Sequence, residues 1–134
     1  MSILEYGSDL KEATPPVPLP PGPYPAEIIS CMEKVSTSSG GKYLNVVFRI
    51  NSENYPADYV DGDPDGVELH YNRIQTEDNG RNRFRMRQFL ERIGAPLSNR
   101  VDLNNLIGLT ATVDVNHQEY EGEQRAQIAR ILAP

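Results

Sequence analysis

Alternating hydrophobic and polar residues predict that most of the chain forms strands. In residues 42–51 every second side chain is apolar, so one face would carry Leu44, Val46, Phe48 and Ile50. Successive side chains of a strand point to opposite faces, and such alternation therefore predicts a half-buried strand. Comparable patterns predict four more strands, at residues 24–35, 67–74, 109–117 and 123–132.

A longer period predicts one helix, at residues 81–93, which Gly94 would end. Its buried stripe would consist of Phe84, Phe89, Leu90 and Ile93. The helix falls between the third and fourth of five strands, which is the element order of an OB-type barrel. The sequence thus predicts a mainly β fold, a five-stranded OB-type barrel with one principal helix. We expect its core to include Val46, Phe48, Leu69, Phe89, Leu90 and Val113.

Residues 1–21 form a separate segment because of their prolines, which are Pro15, Pro16, Pro18, Pro20 and Pro21. Proline has no backbone N–H to donate to a sheet and favours an extended chain. We therefore divide the chain into an extended Pro-rich arm, 1–21, and an OB-fold domain, 22–134. We expect about the first 18 residues to make no contact with the barrel. The arm would serve self-association or protein partners through its apolar residues Ile3, Leu4, Tyr6 and Leu10.

The charge of the chain is negative but unevenly distributed. The net charge of −6 argues against simple non-specific binding of polyanions. Residues 53–68 contain six carboxylates and no Lys or Arg, whereas residues 81–100 contain six arginines and one Glu. Two interpretations of the helix arginines stay open. They form a phosphate-facing ridge with Arg81, Arg85, Gln88 and Arg92 on one flank, or they pair with the acidic loop.

Nothing in the sequence predicts catalysis, a metal or a cofactor. His70 and His117 fall on different strands, and Cys31 is a single cysteine that we expect to be a small buried residue. Residues 61–66 match the first half of a calcium loop, but its twelfth position is Asn72 rather than Glu. The chain contains no apolar run of membrane-spanning length. We therefore expect a cytoplasmic protein that is not an enzyme and has no membrane partner.

The outward face of the second and third strands is the usual nucleic-acid platform of an OB-type barrel. Here it would present Tyr43, Asn45, Arg49, His70 and Asn72. The flanking loops add Lys34, Lys42 and Tyr120. Flat side chains stack on bases and cations bind the phosphate backbone, so these residues predict a single-strand interface. The alternative is that Tyr43 and His70 simply cover the sheet.

Several short motifs carry a resemblance to a known family. They are residues 19–28 (LPPGPYPAEI), 38–46 (SSGGKYLNV), 89–94 (FLERIG), 102–108 and 120–122. Across residues 19–132 the chain resembles the OB-fold single-stranded-DNA-binding proteins of tailed bacteriophages. The resemblance implies binding of single strands during phage replication or recombination. It supports Lys42, Tyr43 and Tyr120 best, and the arginine helix is not part of it.

A second function class stays open beside DNA binding. The Pro-rich arm and the acidic balance also suit a phage structural or accessory protein that uses the barrel and arm for protein–protein contacts.

Overall fold

A computed structural model describes residues 2–134 and shows one antiparallel sheet with one α-helix. The strands are β1 (Gly22–Val35), β2 (Lys42–Ile50), β3 (Val67–Gln75), β4 (Thr110–Tyr120) and β5 (Glu123–Ile131). The helix α1 (Gly80–Ile93) lies between β3 and β4, and short 3₁₀ turns occupy Leu10–Glu12, Ser52–Asn54 and Leu103–Leu106. The predicted mainly β fold, with five strands and a helix between the third and fourth, is confirmed.

The sheet has the order β3-β2-β1-β4-β5, and β1 is the strand that its two halves share. The first part of β1 pairs with β4, from Gly22 opposite Val115 to Glu27 opposite Thr110. From Glu27 onward β1 pairs with β2, ending with Val35 opposite Lys42. A bulge between Ile28 and Ser30 interrupts this ladder just beyond the residues that pair with β4. Bulges increase the local bend and twist of a strand, so β1 can serve both halves of a curved sheet.

The strands β3 and β5 are the two edges of this sheet, and within residues 2–134 no ladder joins them. They approach each other nonetheless, because Arg73 of β3 donates from Nη1 to the carbonyl oxygen of Ala129 in β5 at 2.6 Å. We call the space between these edges the β3–β5 seam. A side chain, rather than a backbone ladder, bridges it.

The core lies on one face of the sheet, under α1. All six residues predicted for it are buried, which confirms the assignment of the inner faces: Val46, Phe48, Leu69, Phe89, Leu90 and Val113. Cys31 is also buried, as predicted, and desolvation raises the pKa of its thiol to about 11. A thiol with that pKa stays protonated at neutral pH and is a poor nucleophile.

Capping residues mark both ends of the helix, but the prediction that Phe84 is part of its buried stripe is wrong. The Asn79 side chain accepts from the N–H of Asn82 at 2.9 Å, and Gly94 ends the helix with φ 74°. Phe84 is 59% exposed because the buried side of the helix carries Asn82, Phe89, Leu90 and Ile93. At about 100° per residue, Phe84 lies on the opposite side from that group.

No helix in residues 2–134 has the length and apolar character needed to cross a membrane.

The end of the predicted arm belongs to the folded domain. The N–H of Val17 donates to the Asp61 carboxylate at 3.0 Å, and the Tyr59 hydroxyl donates to the Val17 carbonyl at 2.9 Å. Leu19 is 1% exposed, and Nε2 of His117 donates to its carbonyl oxygen at 2.8 Å. The expectation that about 18 residues make no contact is therefore wrong for Val17, and residues 17–21 are better described as an anchor.

The acidic loop holds this anchor and is itself organised by two tyrosines. The Tyr55 hydroxyl donates to the Asp63 carbonyl at 2.9 Å, and the rings of Tyr55 and Tyr59 meet edge to face with centroids 5.3 Å apart. Desolvation raises the pKa of both hydroxyls, and neighbouring charged or ionisable groups of the loop add to the effect. No group of three or more His, Cys, Asp and Glu within residues 2–134 is arranged to hold a metal ion.

Gly62 lies against both tyrosine rings, so its replacement by alanine should be costly. A Cβ atom there would come within 2.4 Å of the Tyr55 ring and 2.7 Å of the Tyr59 ring. We expect Gly62→Ala to lower the free energy of unfolding by about 1–3 kcal/mol, as overpacking does elsewhere. Urea denaturation measures this. Gly7→Ala is the matched control, since a Cβ at Gly7 would meet nothing within 4 Å. Equal stability of the two variants would contradict the described loop packing.

Candidate nucleic-acid interface

The outer face of β1, β2 and β3 presents its side chains in cross-strand rows. Tyr43 of β2 lies opposite Lys34 of β1 and Gln75 of β3, at the end of the sheet near the β1–β2 hairpin. Arg49 of β2 lies opposite Glu27 and Glu68 at the other end. The face is therefore basic and aromatic at the hairpin end and acidic at the far end.

A cleft of about 650 Å³ opens at the hairpin end, and we call it the hairpin cleft. Three of the predicted site residues, Lys42, Tyr43 and Asn72, line it together. The β1–β2 loop supplies hydroxyls from Ser36, Thr37 and Ser39, and Glu77 is the one carboxylate in its lining. Hydroxyls, a lysine and a partly buried tyrosine in one concave site can hold a polar, planar, anionic ligand.

Arg73 also lines the hairpin cleft, although the sequence pattern does not predict it there. The ladder between β2 and β3 shifts register between Leu44 and Val46, so that Asn72 and Arg73 of β3 together oppose Asn45 of β2. This two-against-one arrangement is a β-bulge, and it breaks the alternation that the sequence pattern assumes. A simple period of two assigns Arg73 to the inner face, and nothing in the sequence signals the bulge.

Asn45 and His70 bind each other. The Asn45 amide nitrogen Nδ2 lies 3.2 Å from Nδ1 of His70, and Asn45 is only 7% exposed. Val47, which lies opposite His70 on this face, is buried as well. Asn45 is thus a buried polar residue satisfied by its neighbour, whereas the ring of His70 stays exposed at the surface.

Arg49 is engaged in an ion pair. Its Nη2 lies 2.9 Å from Oε1 of Glu68, and Glu27 lies opposite it on β1. An arginine between two carboxylates contributes little net attraction for a phosphate. Arg49 lies away from the hairpin cleft and is not among its lining residues.

The two remaining predicted residues lie outside the cleft lining. Lys34 is exposed beside Tyr43 on the neighbouring strand, within the same row of the face. Tyr120 is at the β4–β5 hairpin tip, where it pairs with Glu123, and the guanidinium of Arg125 lies 4.6 Å from its ring centroid. Because β4 leaves β1 at the pair Gly22–Val115, Tyr120 is beyond the other end of β1 from Tyr43.

The helix arginines form no ion pairs with the acidic loop in the part of the chain that the structure describes. Arg83 pairs with Asp78 at 3.3 Å, and Arg87 pairs with Glu91 at 2.7 Å. The alternative in which Arg81 and Arg85 neutralise residues 53–68 is therefore wrong for this structure. The side chain of Asp61 in that loop holds the N-terminal anchor.

No model of a known protein family matches the chain, and a search of curated proteins also found no match. The resemblance to phage single-strand binders therefore stays a prediction.

Proposed function

We propose that this protein binds single-stranded DNA without strong sequence preference, in phage replication or recombination. The observation that carries the proposal is the hairpin cleft, where Tyr43 lies among Lys42, Asn72 and Arg73. An aromatic ring stacks on any base, and the neighbouring cations bind the backbone that all strands share. Such a site favours single strands, whose bases are free to stack, over duplexes.

The proposal includes an OB-type barrel. The strand order and the position of α1 support it, as does the direction of the edge strands. Every neighbouring pair in β3-β2-β1-β4-β5 is antiparallel, so β3 and β5 run in the same direction and approach at Arg73 and Ala129. A barrel would close at this seam. In OB folds the face of the second and third strands binds oligonucleotides, and the hairpin cleft lies on that face here.

In this proposal the protein is not an enzyme, and it acts in the cytoplasm of the host cell. The negative net charge limits non-specific attraction to DNA, so binding depends on the local cations of the cleft. Each backbone phosphate that such a cation neutralises steepens the salt dependence by about 0.7 for a single strand. Lys42 and Arg73 in the cleft and Lys34 beside it should together contribute about −2 to the slope of log affinity against log salt.

Titration of a labelled oligonucleotide of about thirty bases tests the proposal, with fluorescence anisotropy at two salt concentrations. We expect saturable binding that weakens as salt rises. The same sequence as a duplex is the control and should bind more weakly. If the protein shows no affinity for the single strand at low salt, the proposed function is wrong.

The second candidate function is an assembly module, and the exposed arm favours it. Four apolar side chains of the arm, Ile3, Leu4, Tyr6 and Leu10, are exposed. Apolar side chains gathered on an exposed segment are typical of contact with another protein. Light scattering during size-exclusion chromatography would then show an oligomer that disappears when residues 2–13 are deleted.

A further inference from the structure

A second, smaller cleft opens at the β3–β5 seam, beneath α1. Its volume is about 260 Å³, and its lining comes from both edge strands and from the helix. Its charged and amide side chains are three arginines and one glutamine, namely Arg73, Arg85, Gln88 and Arg92. No carboxylate is among its lining residues. We call it the seam cleft.

The two helix arginines of the seam cleft differ from Arg83 and Arg87 of the same helix. Arg85 and Arg92 are seven residues apart, about two helical turns, so they share one flank of the helix. Neither forms an ion pair within residues 2–134, whereas Arg83 and Arg87 on the other flank pair with Asp78 and Glu91. The seam cleft therefore gathers two of the three α1 arginines that form no ion pair in the described part of the chain; the third, Arg81, is not among its lining residues.

Arg73 supplies the third guanidinium of the cleft, from the wall opposite the helix. Its Nη1 donates to the Ala129 carbonyl at 2.6 Å, which holds the side chain across the seam and leaves its other N–H groups for a ligand. The rest of the lining is apolar apart from the Tyr71 hydroxyl. Tyr71 and Phe89 stack with centroids 6.5 Å apart, and Ile74 and Ile131 complete the lining. Apolar walls strengthen the attraction between a guanidinium and an anion.

We propose that the seam cleft binds a backbone phosphate of the same single strand whose bases stack in the hairpin cleft. Arginine forks bind phosphate oxygens through paired hydrogen bonds, and three of them face one small space here. Arg73 lines both clefts, so a strand that leaves Tyr43 can pass over the edge of β3 directly to Arg85 and Arg92. This inference rests on the proposed function and extends the interface from the sheet to the helix.

A matched pair of double variants tests the inference. Arg85→Gln with Arg92→Gln removes two unpaired arginines, and Arg83→Gln with Arg87→Gln removes two paired ones from the same helix. The first variant should make the slope of log affinity against log salt less negative by about 1.4, which corresponds to the loss of two phosphate contacts. The second should change the slope by less than about 0.5, since its arginines are already neutralised. Arg85→Lys with Arg92→Lys, which keeps the charges, should retain most of the slope.

The outcomes separate this inference from the proposed function. If the wild-type protein binds the oligonucleotide and both glutamine variants behave alike, the seam cleft assignment is wrong and the hairpin cleft proposal stands. If the wild-type protein does not bind, both are wrong. Thermal unfolding of each variant shows whether it is folded. If the double glutamine variant is not, the single variants Arg85→Gln and Arg92→Gln replace it, and each should flatten the slope by about 0.7.

Nitrogen-15 NMR of the arginine Nε–H groups separates a strand phosphate from free phosphate. The oligonucleotide should shift the Arg85 and Arg92 signals at concentrations far below those at which inorganic phosphate does. Saturation by inorganic phosphate at lower concentrations than by DNA would overturn the assignment to a strand.

Discussion

Replacing Leu19 with alanine should lower the free energy of unfolding by about 2–5 kcal/mol, the usual cost of truncating a buried leucine. Leu19 lies outside every strand, in a segment whose sequence predicts an extended arm, yet it is among the most buried side chains of the molecule. The His117 hydrogen bond to its carbonyl fixes the backbone at this point, so the neighbours cannot easily collapse into the cavity. Urea denaturation followed by circular dichroism measures the change.

Leu10→Ala is the control for this prediction, because Leu10 belongs to the same arm and is exposed. It should change stability by less than about 0.5 kcal/mol, as surface substitutions generally do. Deletion of residues 2–13 should change the free energy of unfolding equally little. If Leu19→Ala is as mild as Leu10→Ala, residues 17–21 are not an anchor and the original boundary of the arm is restored.

Replacing Tyr43 with alanine should weaken single-strand binding about ten- to hundredfold, since base stacking on an aromatic side chain is worth about 1–3 kcal/mol. The salt slope should not change, because the ring carries no charge. Anisotropy titrations at several salt concentrations measure both quantities. Tyr43→Phe retains the ring and should retain the affinity, so a loss in that variant would assign the contact to the hydroxyl rather than to stacking.

Lys42→Ala should have the complementary effect, with a salt slope flatter by about 0.7, the share of one phosphate contact.

Tyr6→Ala is the control for Tyr43→Ala, because it removes an aromatic residue of the exposed arm, away from the cleft. If Tyr43→Ala and Tyr6→Ala bind equally well, the hairpin cleft is not the base-binding site.

The strands could be predicted because their period survives in the structure. Leu44, Val46, Phe48 and Ile50 are fully buried, as the alternation in β2 requires. The helix also followed from its longer apolar period and from Gly94 at its end, since a terminating glycine acts through local geometry. Local chemistry and a constant period are properties of the chain itself, and they need no knowledge of its neighbours in space.

The errors arise where neighbours in space decide the outcome. Phe84 is apolar but lies on the wrong side of α1, because Asn82 occupies a buried position through its bond to the Glu77 carbonyl. Leu19 is buried by elements far away in the sequence, including β4 through His117. Arg73 reaches the hairpin cleft through a bulge that depends on the pairing of β3 with β2. Asn45 and Arg49 lie on the outer face, as the alternation predicts. Their polar groups, however, already bind His70 and Glu68.

The anchor at Val17 turns the arm into a tether of limited length. The chain leaves the domain at a fixed point, and the thirteen residues from there back to Leu4 can span at most about 45 Å. A molecule held by the apolar tip would thus remain within that radius of the sheet, at an effective concentration on the order of millimolar. Contacts too weak to form between free molecules would then be populated whenever the tip is occupied.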